Sequence, residues 1–161
     1  MEPELIGNER TQLDGFLDAA RAEVEAGLDG LDDQQARRRL VPSLTTPLGL
    51  VKHLTFVEQV WFQVSLEGRA RADLGLPEDI DSSFMLEDSD TVACVLARYR
   101  EVCAQSRRIA ARYDLDDLAL HNRRGPINLR WVMVHLIREL SGHSGHADIL
   151  KEQILAADSS T

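Results

Sequence analysis

The chain has 161 residues, 43% hydrophobic and 28% charged, with two cysteines and a formal net charge of −9. Its length suits one domain, residues 1–161, and its composition lies far from the disordered class. The acidic balance argues against nucleic-acid partners, whose binding rests on clustered Lys and Arg, and no segment reaches the ~18 apolar residues of a membrane span.

Met1-Glu2-Pro3-Glu4 lacks the positive start and apolar run of a signal peptide. Cys94 and Cys103 fall on opposite faces of one predicted helix and cannot bridge each other. A cytoplasmic protein is the expectation.

Aliphatic and alanine richness favours helix over sheet. A first helix is predicted from about Glu9 to Leu28, with Leu13, Phe16, Leu17, Ala20, Val24 and Leu28 at helical spacings. A polar connector follows, with a short helical turn expected between Asp33 and Leu40. Helix two opens at Thr46-Pro47, a capping hydroxyl followed by proline at the first helical position. Leu50, Leu54, Val57, Trp61 and Val64 form its apolar stripe, with His53 on the border, until Gly68. Residues 69–88 read as a long irregular loop, expected to cover one end of the bundle. The third helix should start near Asp88 or Ser89 and run to Tyr113, burying Cys103 and projecting Cys94 off the stripe. A second loop, His121 to Pro126, leads to Asn128, the expected N-cap of a last helix ending near Ala156. These elements predict an all-α four-helix bundle with long inter-helix connections. The basic runs Arg37-Arg38-Arg39, Arg69 with Arg71, and Arg123-Arg124 read as solvated helix ends or loops; for Arg123-Arg124, just before the last helix, meeting an anionic substrate is the alternative.

On a helical wheel Leu129, Val132, Leu136, Ala147, Leu150 and Ile154 share one stripe, and Glu139 and His143 fall on or beside it. A carboxylate on an interior stripe needs a cation or a donor network, and two side chains one turn apart converge on a point beside the helix, as in helical zinc motifs. His53 is the best third ligand among five histidines, while His135 and His146 lie on the flank as supporting groups, a fourth ligand or catalytic candidates. Chance also supplies a Glu-x-x-x-His pair in many helices, and a border histidine serves equally as a hydrogen-bonded core residue.

The run Thr46 to Leu54 together with Glu139-Leu140-Ser141-Gly142-His143-Ser144-Gly145-His146 resembles the DinB-like superfamily over nearly the whole chain. The resemblance is to an actinobacterial branch of unassigned function, and the His-Glu-His set is similar to that of mycothiol-dependent maleylpyruvate isomerases. It implies a four-helix bundle holding zinc or nickel through His53, Glu139 and His143. Glutamate at the first position of the last-helix motif departs from the family's common His-x-x-x-His form, and His146 stands where that form has Gln. The implied activity is transfer or isomerisation using a small thiol such as mycothiol and an electrophilic substrate. His146 or His135 would orient a ligand or move a proton, and homodimer formation is a further family trait. A zinc hydrolase and a non-catalytic metal-binding or stress-related bundle are the alternatives.

Overall fold

The computed structural model describes residues 3–159. Helices α1 (Glu9–Ala26), α3 (Pro47–Gln59), α4 (Val92–Ala110) and α5 (Leu129–Ser159) form the bundle, with α2 (Asp33–Ala36) a single turn between the first two. Helix starts follow local chemistry. Asn8 accepts the Thr11 N–H, Thr46 Oγ1 accepts the Gly49 N–H at 3.0 Å, Thr91 accepts the Cys94 N–H, and Asn128 accepts the Trp131 N–H. The third long helix begins at Val92, not at Asp88 or Ser89. The Asp90 carboxylate that could have capped an earlier start instead accepts from Lys52 Nζ at 2.7 Å and from the Glu87 N–H.

The core joins all four long helices through Leu17, Leu54, Phe62, Tyr99, Leu136 and Leu140, while Phe16, expected inside, is 52% exposed. Cys103 is buried and Cys94 exposed. One ion pair crosses this interior: Arg21 Nε and Nη2 donate to the two oxygens of Glu58 at 2.8 and 2.9 Å. Among the described residues, no helix is long and apolar enough to cross a membrane.

Two departures from regular helix shape the region around His53. Beyond Gln59 the α3 backbone widens into a π-helical stretch, Val60–Leu66, a distortion often found at functional sites. The loop of residues 69–88 contains two 3-10 turns, Ala72–Leu74 and Asp81–Phe84. Its second turn rests directly on the start of α3: a Cβ on Gly49 would lie 2.9 Å from the Phe84 carbonyl oxygen, so only glycine admits this approach.

The expected second loop also holds a short antiparallel pairing of β1 (Leu118–Ala119) with β2 (Ile127–Asn128). The His121 N–H donates to the Ser65 carbonyl at 3.1 Å, tying this hairpin to the π-helical stretch. The hairpin and the 69–88 loop together wall a cleft along α3 and α5.

Candidate functional site

The buried face of α5 carries Leu129, Val132, Met133, Leu136, Leu140, Ser144, Ala147, Leu150 and Ile154. Of the two placements the wheel allows for Glu139 and His143, on this stripe or beside it, the second is the one observed. The core stripe passes through Leu140 and Ser144, while Glu139 and His143 stand one position before them on its border, with side chains 30% and 22% exposed. They face the cleft, not the packed interior.

His53, on α3, is buried at 6% exposure and meets them from the opposite wall. Its ring centre lies 5.2 Å from that of His143, in edge-to-face orientation. His143 Nε2 lies 3.9 Å from Glu139 Oε2, outside hydrogen-bond range. Among the described residues, His143 Nδ1 is buried without a hydrogen-bond partner.

The loop sets the state of His53. Phe84 stacks on the imidazole with ring centres 4.0 Å apart, and Ser83 Oγ lies 2.7 Å from His53 Nδ1. Ser83 Oγ also donates to the Ile80 carbonyl. A hydroxyl has one proton, so toward His53 it can only accept. Nδ1 therefore carries the imidazole proton and Nε2 the lone pair.

Burial, with a smaller contribution from neighbouring His143, lowers the His53 pKa to about 4. Burial also lowers His143, opposed by Glu139 and reinforced by His146. Both rings are neutral at pH 7, the state in which imidazole ligates metal.

The cleft encloses about 800 Å³, within the range of small-ligand sites. Val57, Val60, Trp61 and Val64 form its apolar wall, and Arg71, His121, Arg123 and Arg124 also line it. His135 lines it one turn before Glu139, stacked on Trp131 at 4.7 Å and edge-on to Trp61 at 5.0 Å. Burial lowers its pKa, with Glu139 opposing and Arg124 and Arg138 assisting. His146 is exposed and does not line the cleft, although its ring centre is 5.6 Å from that of His143.

Sequence reasoning missed Ser83, Phe84, Arg71 and Trp131. The only available signal for the first three was the unusual length of the 69–88 loop. Among the described residues, no three His, Cys, Asp or Glu side chains are already drawn into a ligating cluster.

Comparison with known proteins gives a family match and a likeness to solved structures. The family model for mycothiol-S-transferase matches residues 12–156. No curated protein matches the sequence. Among solved structures, a conserved protein from Enterococcus faecalis superposes with a TM-score of 0.74 at 13% identity, covering 94% of this chain and 99% of its own. That likeness concerns the fold, an all-α bundle of the DinB-like kind. The match along most of the chain supports a mycothiol-related transferase function, and the chain belongs to the mycothiol-S-transferase family, within the DinB-like superfamily.

Proposed function

We propose that the protein is a metal-dependent S-transferase that joins a mycothiol-type thiol to an electrophile, with the metal held by His53, Glu139 and His143. The observation that carries this reading is the state of the three side chains. His53 has its proton fixed on Nδ1 by Ser83, leaving the Nε2 lone pair uncommitted. Neither ring nitrogen of His143 is hydrogen-bonded, and the Glu139 carboxylate accepts no hydrogen bond among the described residues.

Two neutral nitrogens and one carboxylate oxygen suit a divalent ion, zinc first and nickel as the alternative. His143 Nε2 and Glu139 Oε2 stand 3.9 Å apart with no hydrogen bond between them, so both would be free to turn to such an ion. When bound, the ion would supply the positive charge that lowers the pKa of a thiol toward neutral pH.

The remaining work falls to the chain's own side chains. We assign His135 the role of accepting the thiol proton, since burial keeps its imidazole neutral and it lines the same cleft one turn from Glu139. Val57, Val60, Trp61 and Val64 offer apolar surface to the electrophile and exclude water from it. Attack by the thiolate sulfur then forms the carbon–sulfur bond while the bond to the electrophile's leaving group breaks, that group departing with the electron pair and taking up the proton held by His135. Neither protein cysteine is suited to the nucleophile's role: Cys103 is buried in the core, where burial and the nearby Glu58 charge push its thiol up to about 12, and Cys94 is exposed outside the cleft.

Elemental analysis of untagged protein tests the site. We expect close to one equivalent of metal, falling sharply in His143→Ala. Native protein that is metal-free, binds no added zinc and has ordinary stability would reject the assignment.

A further inference from the structure

We propose that Arg71, Arg123 and Arg124 form an anion-binding wall of the cleft, and that the electrophilic co-substrate carries a carboxylate attached to an apolar or aromatic body. Calling the anion a co-substrate rests on the transferase reading, whereas the binding itself does not.

Elsewhere in the chain, arginines such as Arg21, Arg100, Arg107 and Arg130 reach carboxylates. The three in the cleft do not. The Arg123 side chain makes no hydrogen bond or ion pair with any described residue. Arg124 lies over the Trp131 ring at 5.5 Å, and Trp131 in turn stacks on His135. Arg71 lies over the Phe56 ring at 5.5 Å, and its Nη1 donates only to the carbonyls of Pro77 and Glu78.

The aromatic contacts orient two guanidinium groups without consuming their charge, and they leave N–H donors available. Concentrating such groups in one cleft of a chain with a net charge of −9 runs against the overall composition. The cleft's two carboxylates, Glu78 and Glu139, are outnumbered by its three arginines. Planar guanidinium forks suit a carboxylate, and the adjoining wall of Val57, Val60, Trp61 and Val64 suits an apolar body.

Calorimetric titration of metal-loaded protein with 2-naphthoate and its neutral isostere 2-naphthamide tests this. The acid is expected to bind about tenfold more tightly at low ionic strength, as one charge-assisted contact allows. In the double variant Arg123→Ala/Arg124→Ala the preference should fall to about twofold, with naphthamide affinity unchanged. Arg98→Ala, which alters an exposed arginine paired with Glu101, should retain the full preference.

Equal binding of the two probes would overturn the proposal. So would a preference that survives the arginine substitutions and vanishes on chelation, because that result moves the anion to the metal. The transferase reading fails separately: a protein indifferent to thiols that still prefers the acid through these arginines retains the anion site.

Discussion

Replacing Ser83 by alanine removes the acceptor that holds the His53 proton on Nδ1. The buried N–H left behind costs about 1–3 kcal/mol if it stays where it is. If the proton moves to Nε2 instead, the nitrogen that would face the metal becomes a donor and cannot ligate. Either route weakens metal binding, and the general cost of losing such a supporting contact is about 10–100-fold in affinity, or about 1.4–2.7 kcal/mol. Competition for zinc against a chromophoric chelator measures this directly. Ser83→Thr keeps the hydroxyl and should recover most of the affinity. If Ser83→Ala binds zinc within twofold of the native protein, the tautomer argument is wrong, and His53 is then either not a ligand or is held by something other than Ser83.

Two further outcomes concern stability. Glu58→Gln leaves Arg21 charged and buried without its bidentate partner, and should cost about 3–5 kcal/mol in urea unfolding. The joint replacement Arg21→Met/Glu58→Leu should recover most of that loss. The metal-free protein should also weaken in mild acid. The depressed pKa of His53 means that the unfolded chain takes up a proton below its ordinary 6.5 while the folded chain resists until about 4. Stability is complete above pH 6.5, falls as pH drops toward 4, and then levels off for this group, a loss of about 3 kcal/mol at about 1.4 kcal/mol per pH unit. Denaturation midpoints across pH 4–7 measure the slope, and His53→Gln should flatten it; an unchanged slope would mean that other groups cause it.

The starts at Thr46-Pro47 and Asn128 were legible because their determinants act within three or four residues of themselves, whereas the third long helix is capped by Thr91 rather than by Asp88 or Ser89. Cys103 and Cys94 were legible through helical period. For Glu139 and His143 the wheel left open whether they lie on the core stripe or beside it, because one position's rotation separates the stripe of Leu140 and Ser144 from its border. Across the cleft the His143 ring centre stands 5.2 Å from that of His53.

What escaped sequence reasoning depends on distant contacts. Ser83 reaches His53 from thirty positions away, and that approach requires the bare Cα of Gly49 beneath Phe84. Arg123 and Arg124 read foremost as solvated loop residues, with an anionic substrate only the alternative, because nothing local shows that the hairpin is tied to Ser65 and turned toward the cleft. The π-helical widening after Gln59 has no pattern that distinguishes it from ordinary helix.

Cobalt substitution tests the central claim most directly, because the visible spectrum of the ion reports its ligands. Adding mycothiol to the cobalt-loaded protein should produce a sulfur-to-metal charge-transfer band and a changed visible spectrum, both absent in His143→Ala. A spectrum that stays the same at saturating mycothiol would contradict the account.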